Sequence, residues 1–600
     1  MRRGGPHHAA SETKRKPDIK ALRRVMSYLG SNRKLVYFAI FLSFITTGIT
    51  IFSQYAIKPV LELIERGYKQ QITLAEMNQA IGIWLFILAV FFLIEIVATY
   101  ISARIMLKVS QDTSYGMRKD LFAHLNRTSV GFHDQHLQGD LLSRFNNDMA
   151  SISQVLGDTL VTFSSNFVLL IGTFVVMVSI SWQLALVIVG LLPFMFFLIS
   201  KVGAKARKTS RARQKSLGML NGYIEEAMEG NMVNQVFNRN PISLEEMNEK
   251  SMAFTMRSYE AQAYGMLMMP IMQNMNQLVY AISGIVGGFL TIEGLLTIGG
   301  LGAFVNMSRA FGRPLNMIAN QYTQLISALS AASRVFEILD EPLESASDQA
   351  KPLLDVKGDV RFNNVHFSYV EGVPILKDVT FWAKVNQKIA LVGSTGAGKT
   401  TITNLITRFY DIDSGTITID GINIKDVDRY SLRSHIAMVL QDTHLITGTI
   451  MENIRYGRLD ASDEEVIEAA KLANADSFIQ YLPQGYDTVI QGSGEGLSQG
   501  QQQLINIARA AVANPKILIL DEATSSIDTR TEELVEKGMD RLMENRTTFV
   551  IAHRLSTVRN ANAILVIEDG AIIERGDHDD LCAQGGRYAS LVSQQHGALL

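Results

Sequence analysis

The chain has one cysteine, Cys582, in 600 residues. No internal disulfide can form, and a lone thiol near the C-terminus reads as a structural residue of a reducing compartment. Net charge is nearly absent too: 56 Lys and Arg face 58 Asp and Glu, a balance of −2. With no global field, nothing argues for nucleic acid or for a strongly acidic partner. The first seventeen residues, MRRGGPHHAASETKRKP, are basic and polar and contain no apolar run. Residues 1–17 therefore read as a disordered tail, not as a cleaved signal peptide, and His7 with His8 makes a poor metal site. An internal duplication is also lacking, so the pattern is one membrane domain followed by one cytosolic domain.

What the chain does have is apolar length. Hydrophobic residues make up 47% and mean hydropathy is +0.12, high for a wholly soluble protein. A bilayer-crossing helix needs about 20 apolar residues, because the hydrocarbon core offers no water to backbone polar groups. Six stretches qualify: about 35–61, 81–106, 160–180, 182–202, 266–291 and 295–320. Basic residues cluster before the first (Lys14, Arg15, Lys16, Lys20, Arg23, Arg24, Arg33, Lys34) and after the fourth (Lys201, Lys205, Arg207, Lys208, Arg211, Arg213, Lys215). By the positive-inside rule both termini face the cytoplasm, as expected of an inner, cytoplasmic membrane protein. The segment 19–31 has an amphipathic pattern suited to the inner surface.

The cytoplasmic connections, 107–159 and 203–265, far exceed the needs of a turn. A helical arm of about 25 residues reaches ~38 Å. In the first, VGFHDQHLQGDLLSRFNNDM is expected to break at Gly131 and near Gly139, leaving a short contact element; a plain helical hairpin tip is the simpler alternative. The organisation expected is a transmembrane domain over 18–340, a linker over 341–356 (EPLESASDQAKPLLDV) and an α/β domain over 357–600, where KIALV (388–392) and KILIL (516–520) alternate with amphipathic helices in the manner of a mainly parallel sheet.

Gly393-Ser394-Thr395-Gly396-Ala397-Gly398-Lys399-Thr400 lies between strand KIALV and the expected helix TTITNLITRF, which opens at Thr400. This is a P-loop in the context its mechanism requires: glycines let backbone N–H groups wrap phosphates at a helix N-terminus. Lys399 is placed to neutralise β- and γ-phosphates, and Thr400 to ligate Mg²⁺. Strand KILIL ends in Asp521-Glu522, a carboxylate for the cation followed by one able to orient or deprotonate the attacking water. Hydrolysis of ATP, not its storage, is the expectation.

Together these motifs resemble the ATP-binding cassette family, over nearly the whole chain. LSQGQ, 497–501, is similar to the family signature usually written LSGGQ. The resemblance implies that Ser498, Gln499, Gly500 and Gln501 meet the γ-phosphate held by a second cassette, so that a dimer is required. It also implies roles for Tyr369 as the aromatic platform for adenine, Gln441 as the glutamine that senses the γ-phosphate and joins the cation, His553 as the switch histidine acting with Glu522, and Ser525 to Asp528 as the loop communicating between sites. Six spans ahead of the cassette resemble bacterial multidrug half-transporters. Gln499 departs from the family's glycine, and LSQGQ beside an intact Asp-Glu pair looks like the catalytically complete arm of heterodimeric exporters; a heterodimer is favoured and a homodimer is permitted. The function implied is ATP-driven export of amphipathic drugs or lipids by alternating access, with a lipid flippase as the near alternative and an ATP-gated channel or regulator as one of another class.

Three further features stand outside the motifs. Glu95 lies mid-span, where an ionisable group is costly, and Arg309 or Arg313 could pair with it or line a hydrated passage. MLMMPIMQNMNQ, 266–277, suits either a permissive pocket or ordinary packing. Gly284 and Gly288 have close-packing spacing.

Overall fold

The computed structural model describes residues 19–344, 350–441, 443–492, 494–521, 529–551 and 558–597. Contacts divide the chain into two units. One runs to Asn126 and resumes over Gln138–Glu341; the other is Arg127–Leu137 together with Pro342 onward.

The first unit is helical throughout. An amphipathic helix, Ile19–Tyr28, buries Ala21 and Val25, with Leu29 just after its end. Helices Arg33–Tyr55 and Ile57–Tyr68 follow, separated at Ala56. The 52-residue helix Leu74–Leu125 starts at a capping box in which Thr73 and Glu76 satisfy each other's backbone donors. Gln138–Ile180 is a rod of α-helix carrying two π-helical turns, Arg144–Asp148 and Val155–Thr159. Ser181 alone, in extended conformation, separates it from Trp182–Glu229, and its hydroxyl caps the new helix at Leu184 N. Asn240–Ile292 and Ile298–Leu339 complete the unit.

Among the described residues four helices are long and apolar enough to cross a membrane: Arg33–Tyr68, Leu74–Leu125, Gln138–Ile180 and Asn240–Ile292. The other two expected spans fall on Trp182–Glu229, which opens with the apolar run WQLALVIVGLLPFMFFLIS, and on Ile298–Leu339, where Arg309 and Arg313 interrupt the hydrophobic run. Large apolar side chains stand outward on Leu74–Leu125, Phe86 at 70% exposure among them, which in water would be a severe liability and in lipid is the expected surface. Met177, Leu184, Ile188, Phe304, Met307 and Phe311 form the buried cluster that joins three of the rods.

Several local expectations change here. Gly284 and Gly288 have open space where a Cβ would go; Gly287 is the packing glycine, with a Cβ position 2.4 Å from Leu301 Cδ1 and 3.2 Å from Leu184 Cδ1. One helical step of about 100° puts residue 287, not its neighbour, on the crowded face. Glu95 accepts a hydrogen bond from Thr50 Oγ1 at 3.1 Å, and among the described residues no ion pair joins it to Arg309 or Arg313, which are both exposed. Met266 and Met269 are exposed while Met275 is buried.

In the second unit, a six-stranded sheet runs in the order Ala571–Gly576, Ala563–Glu568, Lys388–Val392, Thr547–Ile551, Ile517–Asp521, Ile436–Val439. All neighbours pair in parallel except the first two. Alternation along each strand feeds two cores: Ile389, Leu391, Ile517 and Ile519 pack on one face, Ala390, Leu518 and Leu520 on the other. An antiparallel sheet, Leu376–Ala383, Val360–Phe367, Ser414–Ile419 and Ile422–Asn423, accompanies it.

The expected break at Gly131 falls before it, whereas the one expected near Gly139 is present between Gln135 and Gln138. Gly131 lies inside Val130–Gln135 and Gly139 inside Gln138–Ser143. The breaks fall beside them, because Ser129 Oγ caps Phe132 N at 3.2 Å and His136 turns extended. Segment 127–137 belongs to the second unit through an antiparallel bridge between Thr128 and Leu343 and a bond from Glu344 N to Arg127 O at 2.8 Å. What reads in sequence as a linker is thus partly structured: Leu353 N bonds Ser431 Oγ at 2.8 Å, and Lys351 bridges Val427.

Candidate functional site

Parallel strands deliver their C-terminal ends to one edge of the sheet, and there the chemistry collects. Strand Lys388–Val392 ends in the P-loop. Gly393 must be glycine because a Cβ would stand 2.2 Å from Ile567 O, and Gly398, with φ +108°, holds the left-handed turn into helix Lys399–Ile406. Ser394, Thr395 and Gly396 are exposed on the loop, whereas Ala397 and Gly398 are buried under it. Lys399 is only 8% exposed. Its Nζ donates to the carbonyls of Gly393 and Ser394 at 2.8 and 2.9 Å. The ammonium is therefore held inside the turn, and burial lowers its pKa below the ordinary 10.5 while the nearby Asp521 carboxylate opposes the shift.

Thr400 is exposed at the start of the same helix, and Thr401, buried, accepts a hydrogen bond from Tyr369 Oη at 3.2 Å. Tyr369 is 39% exposed, leaving ring surface for stacking. Asp521 ends the strand Ile517–Asp521, and Gln441 follows the adjacent Ile436–Val439 by two residues, both leaving the sheet at its C-terminal edge. Thr400, Asp521 and Gln441 offer hydroxyl, carboxylate and amide oxygens. This all-oxygen set fits a hard, small cation such as Mg²⁺ that takes its remaining ligands from phosphate and water.

Ser498 caps helix Gln499–Val512. Its hydroxyl accepts from Gln501 N at 3.3 Å, and the Gln501 side chain accepts from Ser498 N at 2.9 Å. This capping box explains why Gln499 is tolerated where the family has glycine: the first helical position points its side chain outward, and Gln499 is exposed. Gly500 is buried. Among the described residues no hydrogen bond joins Ser498 to the P-loop of its own chain. Glu522, His553 and the stretch Ser525 to Asp528 lie outside the described residues.

Sequence reading missed three connections. Gln503, buried on the signature helix, accepts from Thr443 Oγ1 at 2.6 Å and donates to Leu440 O at 3.4 Å, bracketing Gln441. Glu344 takes bonds from Arg429 at 2.9 Å and from Arg433 at 2.9 and 2.7 Å. Burial would raise its pKa, but the two guanidiniums outweigh that and hold it below the usual glutamate value. Tyr410 Oη donates to Asp134. None of these pairs is close in sequence, so no motif could have carried them.

In the first unit a cavity of about 780 Å³ has a mixed lining, with Ser102, Ser110, Gln111 and Arg118 beside Met106 and Leu107.

Two family models match the chain: "ABC transporter transmembrane region" over residues 36–315 and "ABC transporter" over residues 376–525. The ABC transporter ATP-binding protein YfiC of Bacillus subtilis is 39% identical over 98% of this chain and 96% of its own length. The fatty acid ABC transporter ATP-binding/permease protein of Mycobacterium bovis is 40% identical, covering 82% of this chain and 78% of its own. The ATP-dependent lipid A-core flippase of Salmonella typhimurium is 36% identical over 84% and 86%.

Proposed function

Since the chain belongs to the ABC transporter family, a multi-pass membrane protein with an ATP-binding domain in the same polypeptide, we propose that it couples ATP hydrolysis to export of amphipathic lipids or drugs across the cytoplasmic membrane, working by alternating access in a dimer. The observation that carries this is the gathering of Lys399, Thr400, Gln441 and Asp521 at one sheet edge in a chain whose other unit holds helices apolar enough to span lipid.

In this reading the amides of Gly393 to Lys399 and the Lys399 ammonium hold the phosphates, and Tyr369 stacks on adenine. Thr400, Gln441 and Asp521 would hold Mg²⁺, which would supply positive charge to offset that of the phosphates. Glu522 orients or deprotonates the attacking water, and His553 bonds the γ-phosphate. Ser498 to Gln501 complete the site of the opposite cassette. Two such shared sites close when ATP is bound, closure turns the cavity outward, and hydrolysis resets it. ATP hydrolysis drives net movement, and differential affinity of the cargo for the two states gives that movement its direction. The partner is favoured as a different half-transporter, with a homodimer as the alternative, and both termini face the cytoplasm.

The lipid-flipping version is supported by the relatives named for fatty acids and for lipid A-core. The mixed polar and apolar lining of the 780 Å³ cavity suits an amphiphile of either kind.

The test is steady ATP turnover by the purified chain, alone and with any co-purifying partner. Glu522→Gln should bind ATP and stop turning it over at its own site. Undiminished hydrolysis by that variant in a preparation with no second chain would refute the assignment.

A further inference from the structure

We infer that the cavity of the first unit selects its occupant by head group: it takes an amphiphile whose cationic head carries N–H donors, a primary or secondary alkylammonium, and disfavours both carboxylates and fully alkylated ammoniums. This rests on the reading of the chain as an exporter of amphiphiles and names the chemistry of the cargo.

The cavity, about 780 Å³, lies among helix Arg33–Tyr55, helix Leu74–Leu125 and the rod Gln138–Ile180. Its lining is rich in hydroxyl groups, but their protons are committed elsewhere. Ser43 Oγ donates to Ile40 O at 2.7 Å, Thr46 Oγ1 to Ser43 O at 2.9 Å and Ser102 Oγ to Ala39 O at 3.3 Å. On the rod, Thr162 Oγ1 donates to Asp158 O at 2.8 Å and Ser165 Oγ to Val161 O at 2.9 Å. Ser110 Oγ donates to Ser153 O at 2.6 Å, which leaves the Ser153 hydroxyl to donate to Ser110 Oγ at 2.8 Å. Thr99, exposed, is the lining hydroxyl without such a bond among the described residues. A hydroxyl has one proton and two lone pairs. With the proton turned onto the protein, what remains for an occupant is acceptors.

Charge follows the same polarity. Arg118 Nε donates to Phe145 O at 3.4 Å and Ser110 pairs with Ser153, so helix and rod run antiparallel. Phe145 and Asp158 are thirteen residues apart on the rod, about 20 Å at 1.5 Å per residue. The guanidinium is therefore at one end, and the exposed Asp158 carboxylate is in the half that holds Ser102 and Thr162. Met106, Leu107 and Val161 line that half as well and give the tail an apolar wall. Glu95, four residues before Thr99 and so on the same helix face, accepts from Thr50 Oγ1 at 3.1 Å and places a second carboxyl group beyond. An N–H cation satisfies Asp158 and the hydroxyl lone pairs together. A trimethylammonium keeps the charge but leaves those acceptors desolvated and unpaired, and a carboxylate meets like charge. The Gln111 and Gln154 amides can turn either atom inward and do not alter the balance.

Equilibrium binding to the full chain in nanodiscs, corrected for empty nanodiscs, tests the assignment with three probes of equal tail: dodecylammonium, dodecyltrimethylammonium and laurate. Dodecylammonium should bind roughly ten-fold or more tighter than either of the others, the scale of a hydrogen bond to a charged group. Asp158→Asn should weaken dodecylammonium binding by roughly ten-fold or more. Thr162→Val, close in shape, should narrow the ratio between the two ammoniums and leave dodecyltrimethylammonium binding unchanged. Equal affinity for the two ammoniums, laurate binding as tight as dodecylammonium, or unchanged selectivity in both variants at unchanged Tm would overturn the assignment and leave the export reading standing. Selectivity that holds while no probe accumulates in sealed vesicles with ATP would overturn the export reading and leave the head-group site in place.

Discussion

Gln503 accepts a hydrogen bond from Thr443 at 2.6 Å, tying the signature helix to the chain just past Gln441. Its amide nitrogen also reaches Leu440 O on the other side. One buried side chain thus fixes the geometry between two elements that, in the proposed dimer, serve different active sites. Gln503→Leu should cost about 1–3 kcal/mol of stability, the range for leaving buried polar partners unsatisfied. It should lower kcat for ATP more than it raises KM, because Gln441 loses its bearing without loss of the P-loop. Thermal unfolding and ATP kinetics on the same preparation check both.

Glu344 is predicted to be a pH-dependent fastener. Its folded pKa lies below the ordinary 4.5, so its contribution is complete above that value and is lost as pH falls through the lower, folded one. Glu344→Gln should destabilise the protein by about 1–3 kcal/mol from about pH 5 upward, the scale of charge-assisted hydrogen bonds. The gap from the unsubstituted protein should close as the medium is acidified below pH 4.5. Tm measured against pH for both proteins reads this directly; a constant gap down to strong acid would contradict it.

Lys399→Ala removes a buried ammonium aimed into the P-loop turn. Turnover should fall by roughly two orders of magnitude or more, the usual scale for losing one preorganised charge donor. Lys399→Arg should not rescue it, since the planar guanidinium cannot occupy a turn closed by the Gly393 and Ser394 carbonyls at 2.8 and 2.9 Å.

Ser498 is a helix cap and, in the proposed dimer, also part of the opposite cassette's site. As a helix cap its loss should cost about 0.5–2 kcal/mol, visible as a modest drop in Tm. As part of the opposite cassette's site its loss should reduce turnover far beyond what that drop explains. Cys582 is the only native thiol, so a Cys582→Ser background allows thiols placed at Ser498 and at the exposed Thr395 to report the pairing of subunits. Nucleotide-dependent formation of a disulfide-linked dimer is the expected outcome.

The phosphate loop, the signature helix and the carboxylate ending Ile517–Asp521 were legible in sequence because each is a short motif whose spacing encodes its own backbone geometry. Gly287 was hidden for the opposite reason: the spacing of Gly284 and Gly288 suggested a contact face, but which face of a long apolar helix meets Leu184 and Leu301 depends on partners elsewhere in the chain. Tyr410 and Asp134 stand 276 positions apart, and Glu344 finds its arginines 85 and 89 residues on. Such pairs are properties of the folded chain and leave no local periodicity to read. The break at Gly131 was misplaced because the cap at Ser129, not glycine, decides where that helix begins.

ATP-driven accumulation is the most direct measure of the central claim. Sealed inside-out vesicles containing the chain and any native partner would be given a fluorescent fatty acid or a hydrophobic cation, with and without Mg-ATP. The account predicts uptake against a concentration gradient that requires ATP and disappears with Lys399→Ala. Equilibration that ATP merely permits, stopping when the two sides are equal, would show a gated pore and contradict it.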